Sequence, residues 1–201
     1  MSPAFPKTSV QASVLCTVLA LISGCSVQTV HPLHESGSIV RDDGILGEWV
    51  PISSEFGESN VRIVVSLDES GRYRVCEPNE DGSLTGYLVK LGDHRYLELQ
   101  NSNTIDNSNA GLSTQMNTYL FAKIEIREDQ LTVSYPKATA IKNAISSGEL
   151  TGIVGGKTFF DPIVLTSPAE KLRSFFDSNP DAAFEKPELL QRVDSKARNN
   201  E

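Results

Sequence analysis

Three cysteines, three histidines, one tryptophan and two methionines are spread over 201 residues, which leaves little material for several kinds of chemistry. No cluster of Cys, His, Asp and Glu carries the spacing of a zinc site. Basic residues are also in short supply, 18 against 26 acidic, for a formal net charge of −8. Such a surface repels phosphate backbones, and no local run of Lys or Arg relieves it, so nucleic acid is excluded as a partner. A membrane-spanning helix is missing too. The apolar run from Val10 to Ile22 would rise only about 20 Å as a helix, against a hydrocarbon core of about 30 Å. Gln11, Ser13 and Thr17 interrupt it.

Catalytic motifs fail one by one. "TGIVGGKTFF" approaches a phosphate-binding loop, but the glycine due at position 151 is a threonine, and Gly152 leaves too few residues before Gly156-Lys157-Thr158. The residues after it read as a strand where a helix is needed, so a glycine turn between strands is the better account. "EPNEDGS" has the early oxygens of a calcium loop, with Leu88 where its bidentate glutamate belongs. No G-x-S-x-G occurs; "GLSTQ" lacks the second glycine. His94 is the only histidine beyond residue 44, in a predicted turn beside Asp93. These observations imply no catalytic residues, no cofactor and no metal, and they argue against an enzyme.

What is present begins at the amino terminus. Lys7, a short apolar stretch, small residues at its end and no acid before Cys25 describe a secretory signal peptide. Its last four residues, Ile22-Ser23-Gly24-Cys25, resemble the lipobox of bacterial lipoproteins: an aliphatic residue, two small ones and a cysteine. The resemblance implies cleavage before Cys25 and attachment of diacylglycerol and palmitate-type acyl chains to its thiol. At ~0.8 kcal/mol per buried CH₂, several chains hold a protein firmly at a bilayer. Ser26, not aspartate, follows the cysteine, which in that family implies the outer membrane, facing the periplasm. Removing residues 1–24 leaves 177 residues with 17 basic and 26 acidic side chains, a net charge of −9. Only Cys25 and Cys76 then remain, so acylation of the first rules out an internal disulfide. Cys76 reads as a small buried hydrophobe.

Residues 25–44 show no period of 2 or 3.6 and read as a lipidated start followed by a flexible tether reaching ~25 Å. His31 and His34 lie in it as incidental linker residues; a shared metal would need a third ligand. From residue 45 to 193 the pattern is that of one β domain. "VRIVVSLD", "YRVCE", "LTGYLVKL", "YLELQ", "TYLFAKIEI" and "LTVSY" alternate around turn signals, with 101–115 as a long polar loop. Short connections imply antiparallel pairing. Ala138, Ile141, Ala144 and Ile145 form a helical stripe ended by Gly148, and "PIVLTS" reads as a last strand. Ser167-Pro168-Ala169-Glu170 reads as a capping box before a helix burying Leu172, Phe175 and Phe176. Residues 194–201 read as a disordered tail. The fold class is therefore mainly β: an antiparallel barrel, half-barrel or sandwich of about eight strands. One short helix precedes the last strand, and a second helix closes the chain.

"LGEWV", with Gly47 and Trp49, is similar to the G-x-W that opens the first strand of lipocalin-like barrels. The resemblance implies a tryptophan plugging a closed barrel end and a helix after the last strand; a T-D-Y-like second motif is absent. With the lipobox it implies a lipid-anchored envelope protein, not an enzyme, binding a small apolar ligand inside the barrel. The alternative is an interaction lipoprotein docking onto another envelope protein, and a hydrolase with an unrecognised site ranks third. An empty aromatic interior favours the first; a filled interior with exposed apolar residues favours the second.

Overall fold

The computed structural model describes residues 27–52, 62–78, 82–107, 112–155 and 162–193, with the side chains of 102–107 and 112–116 excepted. The signal segment, Cys25, the Lys157 turn and the 194–201 tail lie outside these residues. A short β1 (Val27–Thr29) and β2 (Ile39–Val40) precede a one-turn 3₁₀ segment at Asp43–Ile45. Then follow β3 (Gly47–Pro51), β4 (Ile63–Leu67), β5 (Tyr73–Cys76), β6 (Ser83–Leu91), β7 (His94–Asn107), β8 (Leu112–Arg127) and β9 (Gln130–Ser134). Helix α1 (Ala138–Ser146) leads to β10 (Gly152–Val154) and β11 (Ile163–Leu165), and helix α2 (Ala169–Ser178) leads to β12 (Glu188–Arg192).

Strands β3 to β9 run as an antiparallel meander, and β12 pairs with both β9 and β3 to close an eight-stranded barrel. Closure removes the exposed edges that a meander would leave. Trp49 is fully buried inside, its indole N–H donating to the Ile45 carbonyl at 2.8 Å. The Arg192 guanidinium lies 4.3 Å above its ring and donates to the carbonyls of Leu46 and Gly44. This explains the glycine two places ahead of the tryptophan: at φ +133°, a Cβ on Gly47 would sit 2.7 Å from Arg192 Nη1.

Period-2 alternation fills both faces of β6, β7 and β8. Leu88, Leu97 and Ile124 point into the barrel with Ile45, Val65, Tyr73, Leu131 and Leu190. Val89, Leu91, Tyr96 and Phe121 point outward beneath the helices. There Phe176 meets Phe121, Phe175 and Phe184 with centroids 4.8, 5.2 and 5.6 Å apart, a spacing at which tilted aromatic pairs are favourable. Ile141 and Ala144 of α1 and Leu172, Phe175 and Phe176 of α2 are buried, on the stripes that the sequence predicts.

Several expectations are corrected. The segment after Cys25 is not a flexible tether: β1 pairs with β8 and, in parallel, with β11, and Leu33 is fully buried. It lacks a period because it crosses the sheet as a strap, burying single residues rather than a face. The predicted polar loop at 101–115 is the outer half of a hairpin, with β7 and β8 in register from Arg95↔Ile124 to Asn107↔Leu112. Backbone pairing holds it, and that needs no apolar alternation. Ser167 does not cap α2; its hydroxyl accepts from Thr151 N–H at 2.7 Å, and Pro168 is the N-cap. "PIVLTS" forms β11 outside the barrel, and the closing strand β12 comes after α2.

Two measurements check this packing. Phe176→Ala should cost ~3–5 kcal/mol in a denaturation series, the range for emptying a buried aromatic site; a loss below about 0.5 kcal/mol, as at surface positions, would mean that α2 is undocked. Burial, with the nearby charges of Asp177 and Asp181, pushes the Tyr96 phenol up to about 12. A raised native value stabilises the fold fully below the ordinary phenol range near ~10, and that contribution is lost as pH rises through about 12. Ultraviolet titration of native protein should therefore show late phenolate ionisation that Tyr96→Phe reduces by one group, while Tyr135, raised still further by burial and the charge of Glu188, remains.

Candidate functional site

The strap delivers a histidine to a buried carboxylate. Glu98 on β7 is 1% exposed and points to the outer face between its register neighbours Tyr87 on β6 and Phe121 on β8. One carboxylate oxygen accepts the Leu33 backbone N–H, and the other pairs with His34 Nδ1. The imidazole leans on Tyr87 at 4.9 Å and meets Tyr119 edge-on at 6.2 Å. Burial, and the charge of Glu98 after it, raise the Tyr119 phenol. Around this pin, Lys90 N–H donates to the Ser38 carbonyl at 2.8 Å, β2 pairs with β6, and Arg173 of α2 bridges to Glu35 at 3.1 Å. A buried carboxylate is costly unless fully paired, and Leu33 and His34 together satisfy both oxygens.

A carboxylate–imidazole pair is also two-thirds of a nucleophilic triad. The third member is missing among the described residues: Ser38 Oγ is engaged with Glu35, and Thr118 Oγ1 donates to Gln28 Oε1 at 2.7 Å. The arrangement can orient an imidazole and lock a strap. It holds no activated hydroxyl or thiol.

A second feature lies outside the barrel wall of β8 and β9, a groove of about 320 Å³ between Lys123, Ser134 and the 181–187 segment. Lys123 is largely buried, donating to Pro180 O at 2.6 Å and Asp181 Oδ1 at 2.9 Å, with its ammonium 5.6 Å from the centre of the Phe184 ring. The hydrogen bond and charge of Lys123, with a smaller contribution from His94, hold the Asp181 carboxyl below its ordinary range. The groove's central lysine is thus already neutralised. Among the described residues, Trp49, Leu88, Ile124 and Leu131 pack together inside the barrel, each at most 5% exposed.

His94 begins β7, half-buried, rather than standing in a turn, and His31 is exposed on the strap. No group of three or more metal-ligating side chains converges among the described residues. Cys76 is a half-buried free thiol at the end of β5, its sulfur 4.0 Å from the Val64 carbonyl. Cys25, the predicted lipid attachment point, lies two residues before β1. Sequence reasoning missed the His34–Glu98 pair, because partners 64 residues apart leave no local spacing. The one available signal was Glu98 itself, a carboxylate in the otherwise apolar strand "YLELQ". No protein-family model, curated protein or solved structure matches this chain.

Replacing Glu98 by Leu should leave the Leu33 N–H and the imidazole without an acceptor and cost at least the ~1–3 kcal/mol of an unpaired buried donor. A double-mutant cycle with His34→Ala should give a coupling of about 0.5–3 kcal/mol. Additive effects in urea denaturation would show that the pin does not hold the strap.

Proposed function

We propose that this chain is a lipid-anchored protein of a bacterial cell envelope, placed in the outer membrane facing the periplasm by acylation at Cys25. Its β domain works by docking onto another envelope protein, not by catalysis. The packing inside the barrel, among the described residues, supports this reading. A lipocalin-like protein that encloses a small apolar ligand needs vacant interior volume, and the contact of Trp49, Leu88, Ile124, Leu131 and Leu190 with one another inside the barrel favours docking over that reading. Arg192, lying across Trp49, closes the same region with a guanidinium and its hydrogen bonds.

Apolar surface that is not folded inward is found on the outside. Ile52 and Leu189, 49% and 39% exposed, face each other just past the end of β3, with Ile52 N–H donating to Leu189 O at 3.0 Å. Thr132, opposite Leu189 on β9, also borders the Lys123 groove. An apolar pair beside a polar, charge-paired groove has the anatomy of a protein interface, with a dry centre and a wet rim. The His34–Glu98 pin lacks a nucleophile among the described residues and fits a structural role in this reading.

Native mass spectrometry of the protein taken from its own cells and released from its lipid should give the bare polypeptide mass. A retained apolar molecule would restore the ligand-binding reading. The mature chain should begin at an acylated Cys25, and Cys25→Ser should accumulate as uncleaved precursor. Cleavage elsewhere, or an unmodified thiol, would remove the lipoprotein assignment.

A further inference from the structure

Beyond the barrel, β8 carries a three-stranded flap in the order β1, β11, β10. Its register aligns one end. Val27 at the start of β1 is level with Ile163 at the start of β11, which is level with Val154 at the end of β10. At the spacing of neighbouring strands, Val154 therefore lies about 10 Å from Val27. β10 is the outermost described strand, and it ends in Ile153 and Val154, 65% and 44% exposed. Consecutive strand residues point to opposite faces, so this edge is apolar on both sides. Soluble proteins protect such edges with charge. Here residues 27–29, 152–155 and 162–165 contain no ionisable side chain, in a chain of strong net negative charge.

The chain ahead of Val27 supplies the occupant. Cys25 is two residues away, a span of at most about 7 Å. An acyl chain on that cysteine brings the aligned end of the flap to the membrane surface, because β1 is locked into the sheet and cannot pay out more chain. We propose that Ile153 and Val154 seat in the interfacial layer of the bilayer holding the acylated Cys25. They form a second attachment point that fixes how the domain stands on the membrane. This rests on the lipoprotein reading of Cys25. The lack of acidic residues in the described flap segments 27–29, 152–155 and 162–165 lets them approach anionic headgroups that the rest of the surface repels.

The native chain has a single tryptophan, buried in the barrel, which makes fluorescence a clean readout. Full-length acylated Ile153→Trp protein is reconstituted into phosphatidylethanolamine–phosphatidylglycerol vesicles carrying brominated acyl chains. Emission from position 153 should be quenched, while wild-type emission, from Trp49 alone, should not. Leu189→Trp on β12 controls for the affinity of tryptophan itself for interfaces. Unquenched emission at 153 in vesicle-bound, acylated protein overturns the membrane contact alone, as does equal quenching at 153 and 189. Mass spectrometry showing an unacylated Cys25 overturns the lipoprotein reading and the contact built on it.

Discussion

Burial of β6, β7 and β8 on both faces is the constraint on which the rest of the molecule depends. Alternate residues of these strands serve two cores: Leu88, Leu97 and Ile124 complete the barrel interior, while Val89, Tyr96 and Phe121 form the floor of a second layer. A barrel wall with an apolar outside must be covered, since exposed apolar surface of that extent invites association. The chain covers it with α1, α2, the strap and the flap. Each of these elements contributes buried side chains to that layer, among them Val27, Leu33, Ile141, Ile163 and Phe176.

The same constraint explains why the pin is a carboxylate. Glu98 occupies an outward position on the central covered strand, where it cannot reach bulk water. Any chain crossing there must offer donors, and the strap offers Leu33 N–H and an imidazole nitrogen. Leu33 fills the apolar layer beside it while its amide satisfies the carboxylate. Packing and hydrogen bonding thus select one path for the strap across the sheet, a specificity that an all-apolar floor would not supply.

The elements whose side chains repeat were legible in the sequence. Strand alternation from Ile63 to Ser134, the α1 stripe ending at Gly148 and the buried face of α2 follow from period and turn chemistry. The class of fold followed from short connections. What was hidden has a common physical character, since it depends on partners far away in sequence. β12 reads "ELLQR", with two adjacent leucines rather than an alternation, and its identity comes from pairing with β9 and β3 at once. The outer half of the β7–β8 hairpin is polar, so its ladder leaves no apolar trace. Ser167 had the right neighbours for a cap, but Thr151, brought alongside by the β10–β11 pair, took its hydroxyl. The strap was read as linker for the same reason: His34 and Glu98 mean nothing apart.

Folding the strap changes what an anchor at Cys25 would do. A free segment of about 19 residues lets a domain wander ~25 Å from its lipid and tumble, presenting every face in turn. With β1 in the sheet, an anchor at Cys25 would be joined to the domain by two residues and would hold it by one end. In the proposed anchoring, the Ile52–Leu189 surface would stand at a set height and direction above the bilayer, so that a partner in the same envelope would meet it by lateral motion alone. Orientation obtained this way reduces the rotational freedom that docking must otherwise remove, which is part of the cost of any association. The His34–Glu98 pin lies beyond β1 in the chain, so it sets the path of the strap over the outer sheet, while the β1–β8 pairing would carry the connection between an anchor at Cys25 and the barrel. Were the pin released, the strap would loosen over β6 and β7, while the paired β1 would keep the reach of an anchor at Cys25 unchanged.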